Sequence, residues 1–87
     1  MISREEILQR VHKVAKDLLD KFPIDKVITE DMSLMDDLGL DSLDKIEIWL
    51  GVEEEFLIDI PDDEVKKINT VGDMVNLVIK YLELKEK

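Results

Sequence analysis

Asp41, Ser42 and Asp44 fall within Leu38-Gly-Leu-Asp-Ser-Leu-Asp-Lys45, a hydroxyl set between two carboxylates just after a glycine. A serine so placed can be a nucleophile, a helix cap, or a hydroxyl that another enzyme modifies. A nucleophile needs a base to take its proton and a third group to orient that base. The one histidine, His12, lies far upstream in a segment that reads as helix, where it is expected to be a solvated side chain. No Gly-x-Ser-x-Gly elbow surrounds Ser42, and no lysine has a recognisable catalytic context. The chain is therefore expected to carry no catalytic residue and not to be an enzyme.

Asp36 to Glu47 also has the length of a calcium-binding loop, with an acid at each end. Leu38 and Leu40 occupy the third and fifth ligand positions, however, and Asp41 replaces the glycine required at the sixth. No metal site is expected. The cap reading explains more, since Asp41 or Ser42 can accept from the free N–H groups that open a helix. The same N–H groups and the positive helix end would favour a phosphate. A hydroxyl there, behind a glycine turn and ahead of an acidic helix, is placed to carry a phosphodiester.

The elements that must position this stretch are helical. Ser3 and Glu6 form a Ser-x-x-Glu capping pair, and Ile7, Val11, Val14, Leu18 and Phe22 recur on one helical face until Pro23 ends the pattern. From Pro23 to Asp41 no long period holds, although Leu34 and Leu38 are spaced to plug into a core; a connection this long in a small domain is usually functional. A second helix is expected from about Asp41 to Phe56. A turn at Pro61 then leads to a short helix ending near Ile68. Thr70 and Asp73 make another capping pair, and Val71, Met74, Val75, Val78, Tyr81 and Leu82 give the inward face of a last helix to about Leu84. Nothing alternates with period two for long enough to be a strand. The expected fold is all-α, a small bundle of three main helices and one short helix.

The second helix has two apolar faces. Ile48, Trp49, Val52 and Phe56 share one arc, assigned to the core, while Leu43, Ile46 and Leu50 gather opposite it. The second group cannot enter the same core, and Asp44, Glu47, Glu53 and Glu54 surround it. An apolar strip ringed by one sign of charge reads as a protein-docking surface. Gly51 stands mid-helix without turn chemistry, so either its cost of about 1 kcal/mol is tolerated or something packs close to the backbone there.

Composition narrows the partners. Of the 87 residues, 22 are Asp or Glu and 12 are Lys or Arg, leaving a net charge of −10. Such a surface repels phosphate backbones and anionic lipid heads, which disfavours nucleic acid and membrane docking and favours proteins with basic patches. With 45% hydrophobic and 39% charged residues the chain is expected to fold, as one domain over residues 1–87 and as a monomer. It has no cysteine, and its start, Met-Ile-Ser-Arg-Glu-Glu, lacks the apolar stretch of a signal peptide. No run approaches membrane-spanning length, and a cytoplasmic location is expected.

Asp36-Asp-Leu-Gly-Leu-Asp-Ser-Leu-Asp44, followed by Glu53-Glu-Glu-Phe56 and Asp59-Ile-Pro-Asp62, resembles the acyl carrier proteins, a family of phosphopantetheine-dependent carriers. The resemblance covers nearly the whole chain, with the first helix, long loop, Asp-Ser-Leu helix, Ile-Pro-Asp turn and last helix in order. It implies that Ser42 carries 4′-phosphopantetheine from coenzyme A, added by a phosphopantetheinyl transferase. The thiol of that arm would hold acyl groups as thioesters for acyl-loading, condensing and modifying enzymes of fatty-acid, polyketide or specialised acyl biosynthesis. It further implies that Asp41, Leu43, Asp44, Ile46, Glu47, Leu50, Glu53 and Glu54 meet basic patches on those enzymes. Leu40, Lys45, Trp49, Gly51 and the pair Leu57-Ile58 depart from the common pattern, and Trp49 stands where it could fill space an acyl chain would use. The alternative is an acidic helical adaptor in which Ser42 is only a cap.

Overall fold

Each long helix is opened by a side chain that satisfies one of its free N–H groups. Ser3 accepts from the Glu6 N–H at 3.1 Å and starts α1, Arg4–Leu18. Asp41 starts α2, Ser42–Phe56. Thr70 accepts from the Asp73 N–H at 3.0 Å at the start of α4, Val71–Glu86, and the Asp73 carboxylate takes the Asn69 and Thr70 N–H groups at 2.9 and 3.1 Å. Those two bonds favour the charged form, so the Asp73 carboxyl is held below its usual pKa. Between α2 and α4 lies the short α3, Asp62–Val65, which stops before Ile68, the expected end. The computed structural model describes residues 2–19 and 27–86. Phe22 and Pro23, on which the expected end of the first helix rested, lie outside the described residues.

α1 packs against both α2 and α4. Ile7, Val11 and Val14 of α1 meet Ile48 and Val52 of α2 and Val75 and Val78 of α4 in one buried cluster, to which Trp49, Phe56, Val71 and Met74 belong as expected. Tyr81 and Leu82 are partly buried against it. Leu18 departs from the expected inward face: it is 41% exposed, and the neighbouring Leu19 is buried instead. The reason lies across the interface, at Gly51. A methyl group on Gly51 would stand 2.6 Å from Val14 Cγ1 and 2.6 Å from Leu18 Cδ1, so Leu18 lies against bare α2 backbone while its outer edge faces solvent. Of the two explanations for the glycine, close approach is the right one.

The connection to α2 is tied down by its backbone. Leu34 N–H donates to the Asn69 carbonyl at 2.9 Å, Val71 N–H to Met32 at 3.0 Å, and Gly72 N–H to Glu30 at 2.8 Å. Ser33 and Thr70 form an isolated antiparallel bridge there, and no strand occurs among the described residues. Leu34 is buried and Leu38 partly so, as their spacing predicts. Gly39 adopts φ +68°, the left-handed conformation that lets the chain turn into Leu40, whose side chain is also buried. The loop thus delivers Asp41 and Ser42 from a fixed point.

His12 corrects an expectation. It is half-buried, lining a cavity of about 20 Å³ with Ala15, Leu34 and Leu38, and is not a solvated side chain. Burial, and then the charge of Lys16, hold its pKa below the usual imidazole value.

Candidate functional site

At the start of α2 the two carboxylates flanking Ser42 face each other's backbone. Asp41 Oδ1 accepts the Asp44 N–H at 2.8 Å, and Asp44 Oδ2 accepts the Asp41 N–H at 3.2 Å, a reciprocal capping box. The cap is therefore Asp41. Ser42 is the first helical residue and is exposed.

Ser42 stands on the rim of a groove of about 300 Å³ between α2 and α3, whose apolar walls come from Ile46, Trp49, Leu50 and Val65. That volume is at the lower end of the range for small-molecule sites. Two polar ties brace the groove's walls. Lys45 Nζ donates to the Ile68 carbonyl at 2.8 Å, linking α2 to the chain just past α3. Glu53 Oε2 accepts the Ile60 N–H at 2.9 Å and holds the α2–α3 connection from the other end. Neither bond is legible in sequence, because each joins residues that only the tertiary fold brings together. Trp49 is buried, with no acceptor for its indole N–H among the described residues.

The two faces of α2 separate as their spacing predicts. Ile48 and Val52 are 2% and 0% exposed, whereas Leu43, Ile46 and Leu50 are 77%, 47% and 59% exposed. Glu47 and Glu54 are exposed beside this strip. Asp41, Asp44 and Glu53 lie next to it too, with Asp44 and Glu53 half-buried and engaged in the backbone bonds already described. The strip also runs further than its spacing within the helix indicates. Leu57, just past the last turn, is 73% exposed. Its only sequence signal was a turn more apolar than expected.

On the far side of α3, Glu64 accepts from Tyr81 Oη and from Lys80 Nζ, the latter at 2.9 Å, tying α3 to α4. The tyrosine bond first and the lysine second hold the Glu64 carboxyl below its usual pKa, and the same contacts raise those of Tyr81 and Lys80. The wall of the groove that α3 provides is thus anchored to the core helix behind it. No described helix is long and apolar enough to cross a membrane.

The chain matches the family model described as "Phosphopantetheine attachment site" over residues 9–78. It is 48% identical over 73 residues to an acyl carrier protein of Caulobacter vibrioides, covering 84% of this chain and 91% of that one. To an acyl carrier protein of Lactobacillus acidophilus it is 47% identical over 79 residues, 88% of this chain and 94% of the relative. The crystal structure of an acyl carrier protein from Thermotoga maritima superposes with a TM-score of 0.84 at 32% identity, covering 94% of this chain and 93% of that one.

Proposed function

Because the chain belongs to the phosphopantetheine-attachment family of acyl carrier proteins, whose members are carriers rather than enzymes and bear covalent 4′-phosphopantetheine, we propose that Ser42 is its attachment residue. The observation that carries this is the exposed Ser42 hydroxyl on the first turn of α2, left free by the Asp41–Asp44 capping box and bordering an apolar groove. Those residues fit the group: the hydroxyl is accessible for the phosphodiester, and the groove lies beside it. When bound, the arm supplies a thiol that holds an acyl group as a thioester.

The chain's own residues then have three tasks. Asp41 and Asp44 fix the first turn, so that Ser42 is presented in one orientation. Ile46, Trp49, Leu50 and Val65 offer an apolar surface on which a cargo chain is withdrawn from water. Leu43, Ile46 and Leu50, with Glu47, Glu54, Glu53, Asp41 and Asp44 around them, dock the phosphopantetheinyl transferase and acyl-loading, condensing and modifying enzymes through their basic patches. Charge complementarity supports that choice of partner, since the chain carries −10 overall.

The pathway we propose is fatty-acid biosynthesis or a related polyketide or specialised acyl pathway, with residues 1–87 acting as one carrier domain. The absence of cysteine suits the reducing cytoplasm in which we place it. Incubation with coenzyme A and a purified phosphopantetheinyl transferase, followed by intact-protein mass spectrometry, tests the reading. The protein should gain the mass of one phosphopantetheine and the Ser42→Ala variant none; modification of that variant would overturn the assignment.

A further inference from the structure

α2 ends in an unusual way. Leu57 adopts φ 55° and ψ 51°, the left-handed conformation, while its own N–H and that of Ile58 close on the Glu53 carbonyl, the latter at 3.1 Å. Helices that end like this usually place glycine at the left-handed position, because a Cβ there crowds the backbone. Among the described residues Leu57 is the one non-glycine with positive φ. The strain is not repaid by burial, since the side chain is 73% exposed. A large apolar residue has thus been placed where it neither suits the backbone nor enters the core.

Its location suggests what it does instead. Leu43, Leu50 and Leu57 are seven residues apart, which keeps them on one side of the helix and its extension, with Ile46 among them. Between Leu50 and Leu57 runs an open groove of about 540 Å³, bordered by Glu53, Glu54, Ile58 and Asp59. The apolar strip beside Ser42 therefore continues past the end of α2, and carboxylates border it along its length.

We propose that Leu57 is the distal anchor of the docking surface, inserting into an apolar pocket ringed by lysine or arginine on the phosphopantetheinyl transferase. The inference rests on the reading of Ser42 as the attachment residue, because that enzyme is the one partner the reading makes obligatory. The distance suits it. α2 has 15 residues and so is about 22 Å long. A standard interface of about 800 Å² on each partner, roughly 30 Å across, reaches from Ser42 to Leu57 in a single footprint.

Leu57→Gly and Leu57→Asn both suit the left-handed conformation and remove the anchor, and Leu57→Met keeps an apolar side chain. The steady-state rate of transfer from coenzyme A is measured with a purified transferase at varied carrier concentration, alongside the melting temperature of each variant. The glycine and asparagine variants should melt no lower than wild type and raise the KM for the carrier about tenfold, the effect of exposing one leucine at an interface. Their kcat should stay within about twofold, and Leu57→Met should restore the wild-type KM. A KM for Leu57→Gly within about twofold of wild type would overturn the proposal. So would a melting temperature several degrees lower, since Leu57 would then act by holding the fold. Failure of the wild-type protein itself to be modified is a different result: it removes the reading of Ser42, and this inference with it.

Discussion

The inward and outward faces of α2 are built from the same kinds of side chain and meet opposite surroundings. Ile48, Val52 and Phe56 are buried in the core that α1 and α4 share, while Leu43, Ile46 and Leu50 face solvent among carboxylates. Hydrophobicity alone does not distinguish them; spacing does. A helix with one apolar face is satisfied by a core, whereas one with two leaves its second face open to a partner. The difference teaches that one element can hold the fold together with one side and, on the function proposed above, leave the other for partners. Substitutions on the two sides should therefore fail in different assays.

The largest effect is expected on the inward side. Val52→Lys would bury an unpaired charge at a position that is 0% exposed. It should cost several kcal/mol, about the size that unfolds a small domain. Circular dichroism should show loss of the helical fold at room temperature; a folded variant would show that the faces have been exchanged.

Gly51→Ala comes next. Alanine gains about 1 kcal/mol of helix propensity, yet its methyl would lie 2.6 Å from Val14 Cγ1 and Leu18 Cδ1. Overpacking of this kind typically costs about 1–3 kcal/mol, and Leu18, partly exposed, can yield more easily than Val14. A net loss of about 1 kcal/mol is expected, read as a lower melting temperature. A rise would mean that the α1–α2 contact is looser than its geometry indicates.

Outward substitutions should spare the fold. Glu47→Lys is expected to leave the melting temperature within a few degrees of wild type while slowing association with the transferase, because charges at a rim chiefly steer encounter. The defect should shrink as salt rises, since screening acts over about 8 Å at physiological ionic strength. Stopped-flow association at two salt concentrations reads both effects, and wild-type kinetics at low salt would remove Glu47 from the docking surface.

Acid provides a smaller contrast, away from α2. The Asp73 carboxyl has a folded pKa below its unfolded value, so the stability it contributes is fully present above the unfolded pKa and is lost as pH falls through the folded one. Glu64 behaves in the same direction. Wild type should therefore lose stability progressively as pH falls below about 5. Asp73→Asn should be less stable at neutral pH and show a shallower decline in acid; equal slopes in pH-resolved denaturation would show that the α4 cap is not what titrates.

The separation of a buried and an exposed apolar face on α2 was legible in the sequence because a helix repeats every 3.6 residues and α2 keeps that period without interruption. The capping residues Ser3, Thr70 and Asp73 were legible for a similar reason: their partners lie three or four residues away. What escaped depended on distant parts of the chain. Lys45 finds the Ile68 carbonyl and Glu53 the Ile60 N–H only after α3 has folded against α2. Gly51 had two readings until Val14 and Leu18 were seen to lie on it. His12 looked solvated because the loop carrying Leu34 and Leu38 has no period from which its path over α1 could be read.

The outward half of the comparison presupposes that Ser42 is the point from which α2 works, and locating the prosthetic group tests that most directly. The chain has three serines, Ser3, Ser33 and Ser42. Ser3 is occupied as the cap of α1, and Ser33 accepts the Asp36 N–H at 3.1 Å inside the long connection. Fragmentation mass spectrometry of the protein loaded from coenzyme A should find the phosphopantetheine on Ser42, with Ser3 and Ser33 unmodified. The group on either of those residues, or a chain that stays unmodified beside a control carrier that is converted, would contradict the account.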